Sequence, residues 1–279
     1  VYKNYTEEGF DPDKDLLQVP ALASEHYTMG VLWFGFRGNS SVARRVGFCS
    51  GGGTVIDWNL KSNLDGLYSA GMNAMGGSEH SVAACTGRYV GRTATEGAWS
   101  APDPVVDRAQ VDAEKARVYA PVESTQGVDW KELNAGVCRI MQDCCGAEKS
   151  EGLMQLGLVR LNELKEAEAA QAVARNPHEL MRVLECKSLI NVGEMSIHAC
   201  LSRKASSFFL FYKRTDYPEM DPAEWDKFTT IKMVDGEVCY GELPHDYHLQ
   251  PPYAPTYKEN YDRFSPNFEA PQLSPQLEE

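Results

Sequence analysis

The segment GGGTVIDWNLKSNLDGLYSAG, residues 51–71, constrains the fold of this chain more than any other. Two short apolar runs flank a turn at Asn63 to Gly66, and the second run ends on a glycine. This pattern predicts two short strands joined by a tight turn. A glycine at a strand end lets another backbone or a bound group come close. The stretch SEHSVAACTGRYVGRTATEGA follows, with small residues at close spacing, Ser78 placed to cap a helix and Glu79 in its first turn. It predicts a helix packed tightly on a sheet or on a cofactor.

Downstream the period changes. SAPDPVVDRAQ carries two prolines and no clear repeat, so it reads as a connector. From Asp129 to about Arg203 the pattern is helical: Leu153, Leu156, Leu161 and Leu164 are expected on one buried face. Leu180, Leu184 and the stretch from Ile190 to Ile197 mark another buried helix, which starts with Asn176 as stop signal and Pro177 in its first turn. Three antiparallel helices with short links are the economical arrangement. TTIKMVDGEVCYGEL predicts a hairpin turning at Asp235 and Gly236. HLQPPYAPTYKENYDRFSPNF is too aromatic for a free linker and too rich in proline for a helix or central strand, so an extended arm over a neighbouring surface is expected. The expected class is α+β: a sheet-forming part over 1–100, a connector over 101–127, a helical bundle over 128–206, and a hairpin with its arm over 207–279.

Composition excludes several roles. A formal charge of -13 argues against a nucleic-acid partner, which needs clustered Lys and Arg. No apolar run approaches the ~20 residues of a membrane helix, and VYKNYTEEGF has neither the basic flank nor the apolar stretch of a signal peptide. A cytoplasmic location is the resulting expectation. The eight cysteines form no C-x-x-C pair, and vicinal Cys144 and Cys145 do not fit zinc or iron–sulfur spacing. They read as reduced thiols, with nothing nearby in the sequence to lower a thiol pKa.

Three segments, in this order, resemble the flavoprotein group of fumarate reductases, succinate dehydrogenases and adenylylsulfate reductases. EHYTMG, residues 25–30, resembles a His-Tyr-Thr-Met-Gly of that family, whose histidine hydrogen-bonds a substrate carboxylate; in this chain VLWFGFRGNSSVARRVGFCS intervenes before Gly51. GGGTVIDWNLKSNLDGLYSAG resembles the family's strand pair leading to the flavin. RKASSFFLFYKRTDYPEMDPAEW resembles its C-terminal helical domain through Arg203, Lys204, Ser206, Arg214, Asp216, Tyr217, Pro218, Asp221 and Trp225. DGEVCYGELPHDYHL is more similar to adenylylsulfate reductase than to succinate dehydrogenase.

The resemblance implies FAD as cofactor and a partial FAD-binding sheet region ahead of a three-helix bundle and extended tail, with residues 1–100 the end of the capping and FAD-binding domains. It implies a catalytic, substrate-binding His26 with Tyr27 beside it, and flavin contacts at Gly53, Ala70, Gly71, Ser78, Glu79, His80 and Ser81. His80 is as well placed to cap its helix as to face a flavin. Arg37, Arg44 and Arg45 read either as an anion clamp or as a solvated loop. Arg203 and Lys204 are basic enough to meet a substrate, but at a helix end next to Asp216 a structural ion pair is the better reading.

Two departures shape the functional expectation. Fumarate-reducing members carry His-Gly-Ala-Asn-Arg-Leu-Gly after the strand-end glycine, whereas this chain has MNAMGGSEHSV, without the carboxylate-clamping arginine and with Met72 where an acid is usual. No G-x-G-x-x-G turn occurs anywhere in the sequence. The expected partners are therefore a complementing dinucleotide-binding half or subunit, a small anionic substrate, and an iron–sulfur or cytochrome electron-transfer subunit. The rival expectation is a non-catalytic fragment or assembly module that docks to another subunit.

Overall fold

The computed structural model describes residues 53–74, 80–208, 210 and 212–264. Its helices are α1 His80–Ser100, α2 Arg108–Tyr119, α3 Trp130–Cys144, α4 Glu151–Glu163, α5 Pro177–Ser202 and α6 Tyr257–Phe264. Its strands are β1 Glu148–Lys149, β2 Lys213–Arg214, β3 Phe228–Val234 and β4 Glu237–Leu243. β1 and β2 pair in parallel, and β3 and β4 form an antiparallel hairpin.

Side-chain caps set the helix starts. Asp107 accepts hydrogen bonds from the amides of Ala109 and Gln110, Asp129 from Lys131, Ser150 from Leu153 and Asn176 from Glu179. Each oxygen satisfies a first-turn N–H that no intrahelical carbonyl can reach. Pro177 then occupies the first turn of α5, where its missing N–H costs nothing.

The core lies where α3, α4 and α5 each pack on the other two. Three stripes meet there: Leu133, Val137, Met141 and Cys144 from α3, Met154, Gly157 and Leu161 from α4, and Val183, Cys186, Ile190, Gly193, Ile197 and Cys200 from α5. Steps of three and four residues keep each set on one helical face. The buried stripe of α4 differs from the leucine face expected from sequence. Leu161 and Leu164 are buried, but Leu153 and Leu156 are 44% and 42% exposed. The helix turns Met154 and Gly157 inward instead, because Gly157 lets α4 approach its neighbours: a Cβ there would stand 2.8 Å from Cys144 Cβ and 3.0 Å from Ile197 Cδ1. The leucine count favoured one face and the helix contact chose the other. On α5, Leu180 is only partly buried while Val183 is fully so.

The segment between the glycine-rich part and the core contains α2, which buries none of its residues. The hairpin turns at Asp235 and Gly236, with φ of 50° and 85°. Both left-handed residues match a two-residue turn that follows strand twist. The proline-rich end is not wholly extended, since it contains a short turn at Tyr247–Leu249 and α6.

Candidate functional site

Residues 53–74 fold as a compact double turn held by single bridges, Thr54 with Ala74 and Lys61 with Tyr68. The Asn63 to Gly66 turn closes with Ser62 N donating to Leu67 O at 2.9 Å and Leu67 N to Leu64 O at 3.2 Å. Asp57 organises the preceding bend, accepting from Asn59 N and Lys61 N at 2.8 and 2.9 Å.

Gly53 and Gly71 make the junction with α1 possible. Thr54 N donates to Asn73 O at 2.7 Å, and a Cβ on Gly53 would lie 2.7 Å from that same oxygen and 2.8 Å from the Ala74 carbonyl carbon. Gly71 has φ of 64°, where only glycine sits without strain, and its amide donates to Thr86 Oγ1 of α1 at 2.8 Å. Its missing side chain faces Ala83 Cβ. Both glycines thus leave room that this chain's own backbone and helix occupy. Small side chains on α1 are the reason the turn can lie against it.

Ala70 and Gly71 are brought together with Gly53 through the Ala74 bridge. His80 and Ser81 open α1, and their side chains are not among the described ones. His26, Tyr27, Ser78 and Glu79 lie outside the described residues, as do Arg37, Arg44 and Arg45. One residue was missed from sequence: Ser69. Its Oγ is buried without a hydrogen-bond partner among the described residues, immediately before Ala70 and Gly71. An orphaned buried hydroxyl costs about 1–3 kcal/mol unless something completes it. It is the feature of this turn that a bound group would satisfy, and a lone serine in SAG gives no signal of burial.

The other polar centre joins the helices. Arg214, fully buried, donates from Nε and Nη2 to the two oxygens of Asp216, each at 2.7 Å, and from Nη1 to the carbonyls of Cys200 and Arg203 at 3.1 and 3.0 Å. Asp216 also accepts from Glu151 N at 2.7 Å. The cation therefore closes the carboxyl end of α5 and the anion the amino end of α4, each at the helix pole that favours its charge. Burial opposes the charge on Arg214, yet its hydrogen bonds with Asp216 and Tyr212 hold its pKa above the usual value. The same guanidinium holds the Asp216 carboxyl down at about 2.

The partner of Asp216 is thus Arg214, which corrects the ion pair expected from Arg203 and Lys204. Arg203 instead leaves the end of α5, lies 5.8 Å from the centre of the Trp225 ring and donates to the Trp225 carbonyl at 3.1 Å. Lys204 is exposed. The pairing turned on chain direction after α5, which returns β2 beside β1.

The thiols of the helical core fit a structural role. Burial raises the pKa of Cys138 and Cys144 and pushes Cys186 up to about 11. A hydrogen bond with Cys145, together with burial, raises Cys200 well above the ordinary thiol value. Among the described residues no group of His, Cys, Asp or Glu could hold a metal ion.

The comparisons with known proteins agree with this arrangement. The chain is 24% identical over 239 residues to the fumarate reductase flavoprotein subunit of Haemophilus influenzae, covering 80% of this chain and 35% of that protein. It is 24% identical over 215 residues to the fumarate reductase flavoprotein subunit of Escherichia coli, covering 71% of this chain and 31% of that protein. In structure it is similar to Mycobacterium smegmatis Sdh1 in complex with UQ1, with a TM-score of 0.58 and 26% identity over 70% of this chain and 35% of the other. A quinol-fumarate reductase with menaquinol molecules shares the fold at a TM-score of 0.58 and 23% identity, over 70% of this chain and 37% of that one. The chain spans about a third of the length of the curated relatives it matches. Residues 135–257 match the family described as fumarate reductase flavoprotein C-term, so this stretch is similar to the C-terminal domain of those flavoproteins.

Proposed function

We propose that this chain is the C-terminal part of a FAD-dependent oxidoreductase that moves electrons between FAD and a small anionic substrate. The observation that carries the reading is the order of two features along the chain. A glycine-tight turn, Gly53 to Ala74, is docked on small-residue helix α1, and the flavoprotein C-terminal domain follows at 135–257. The similarity to a fumarate reductase flavoprotein subunit over 80% of this chain supports the reading.

Ala70, Gly71 and the start of α1 at His80 and Ser81 would line the flavin edge, with Ser78 and Glu79 just before the helix. Gly53 holds the Asn73 to Ala74 backbone in place from behind, and the buried Ser69 hydroxyl supplies a hydrogen bond awaiting a partner. FAD, when bound, supplies two-electron chemistry at its N5 position. The amino end of α1 favours negative charge beside it. His26 and Tyr27 would orient the anionic group of the substrate by hydrogen bonding. The ADP part of FAD needs a complementing dinucleotide-binding half, on an upstream segment or a separate subunit. An iron–sulfur or cytochrome subunit would carry electrons onward, and no described helix is long and apolar enough to cross a membrane. We place the enzyme in the cytoplasm.

A second reading, an assembly module without catalysis, is favoured by the lack of any G-x-G-x-x-G turn in the sequence. Absorbance separates the two. Mixed with FAD and a polypeptide carrying that motif, the chain is expected to turn yellow and to reduce its flavin with substrate. A mixture that assembles but stays colourless overturns the enzyme reading. In the assembled enzyme His26→Ala is expected to lose turnover, and unchanged turnover removes the role given to His26.

A further inference from the structure

The C-terminal arm folds back over the bend around Asp57. Tyr247 donates its hydroxyl proton to Ile56 O at 3.0 Å, and the Trp58 indole N–H donates to His248 O at 2.7 Å. Between them lies a pocket of about 180 Å³, lined chiefly by Trp58, Tyr247, His248, Tyr253 and Tyr257. The rings form walls set at steep angles to one another. Trp58 and Tyr257 are 5.1 Å apart at 57°, and Tyr247 and His248 are 5.7 Å apart at 77°. With the Trp58 N–H and the Tyr247 hydroxyl committed to backbone carbonyls, these two residues offer the pocket their rings more than their hydrogen-bond donors.

The one carboxylate in the lining is Asp57. Its position is fixed by the amides of Asn59 and Lys61, so the charge stays at the pocket without side-chain reorganisation. Its field reaches the surrounding phenols: burial first, then Tyr253 and Asp57 raise the pKa of Tyr247, and burial with Asp57 raises that of Tyr253. An anion is repelled from such a pocket. A strongly hydrated metal ion would find too few oxygen ligands there. A cation with an apolar shell suits both the rings and the carboxylate.

We propose that this pocket binds a small organic cation of the quaternary or methylated ammonium class, held by cation–π contacts with Trp58, Tyr247, Tyr253 and Tyr257 and by the charge of Asp57. The pocket lies on the Asp57 bend of the same double turn, its lining does not include Gly71, and its test needs no flavin. It uses residues about 190 positions apart, so it exists only once the arm has docked.

The test is calorimetric titration of the whole chain with tetramethylammonium chloride, with sodium chloride at matched ionic strength and neopentyl alcohol as a soluble neutral analogue. Saturation binding is expected for the cation, with affinity at least about fivefold above that of the alcohol. Asp57→Asn keeps the oxygen that accepts the two amides and removes only the charge; it is expected to weaken binding at least about fivefold. Tyr257 is 62% exposed, so Tyr257→Leu leaves the fold intact and is expected to weaken binding about fivefold. Equal binding of neopentyl alcohol, full affinity in Asp57→Asn, or no heat up to about 50 mM cation overturns the proposal. Sedimentation with phosphatidylcholine vesicles distinguishes a lipid headgroup from a free cation. Co-sedimentation without a response to tetramethylammonium also overturns it.

Discussion

Arg214 and Asp216, two residues apart, form a two-pronged ion pair whose remaining hydrogen bonds reach opposite poles of two helices, Cys200 and Arg203 at the end of α5 and Glu151 at the start of α4. The guanidinium has no exposure, whereas the Asp216 side chain retains 28%. Removing Arg214 strands a carboxylate beside the core and frees two helix-end carbonyls. Arg214→Met is expected to destabilise the chain by about 3–5 kcal/mol, measured as a lower midpoint in urea. Arg214→Lys cannot make the fork and is expected to recover only part of that loss. A midpoint unchanged in Arg214→Met contradicts the latch.

The same pair sets a pH dependence. The Asp216 carboxyl titrates at about 2 in the folded chain, against 3.8 for the unperturbed group. A depressed folded pKa means that its stabilisation is complete above the unfolded value and disappears as pH falls through the folded one. The contribution is therefore present above about pH 4 and lost between about pH 4 and pH 2. Urea midpoints across that window are expected to fall more steeply for the parent chain than for Asp216→Asn. Parallel slopes would assign the acid sensitivity to other carboxylates.

Two glycines on α4 separate packing from helix propensity. Alanine at either is favoured in a helix interior by about 1 kcal/mol. A Cβ at Gly152 meets nothing within 4 Å, whereas at Gly157 it meets Cys144 and Ile197 at 2.8 and 3.0 Å. Gly152→Ala is expected to be neutral or to stabilise by up to about 1 kcal/mol. Gly157→Ala is expected to destabilise by about 1–3 kcal/mol through overpacking. Equal effects at both sites would refute the close helix contact.

Substitutions at the leucines test which face of α4 is inside. Leu153→Ser and Leu156→Ser are expected to change stability by no more than about 0.5 kcal/mol. Leu161→Ala, at a side chain with 1% exposure, is expected to cost about 2–5 kcal/mol in the same denaturation experiment. A large loss at Leu153 would reverse the orientation of the helix.

Much of this architecture was legible in the residues. The Asp235 to Gly236 turn, the Asn176 and Pro177 helix start and the turn after Asn63 are local, and their signals need no tertiary information. The inward face of α4 was not legible. Leucine spacing points to one face, while Gly157 contributes no hydrophobicity and becomes decisive only when Ile197 and Cys144 arrive from other helices. The pairing of Arg214 with Asp216 was not legible for a similar reason. It is set by the return of β2 beside β1, whereas Arg203 has the more obvious position at a helix end. At Gly71, with φ of 64°, backbone conformation dictates glycine, and at Gly53 the close approach of the Asn73 to Ala74 backbone does. The burial of Ser69 was not legible, since a lone serine in SAG carries no signal of it.

The docking of the arm makes the described chain circular in contact. Trp58 stacks near Phe264, with ring centres 6.3 Å apart, and Tyr89 donates to the Phe264 carbonyl at 2.9 Å. The first and last parts of the described residues are thus one neighbourhood in space. A protease that cuts the exposed stretch before α2 would sever the polypeptide without parting its pieces, because the arm still grips the bend around Asp57.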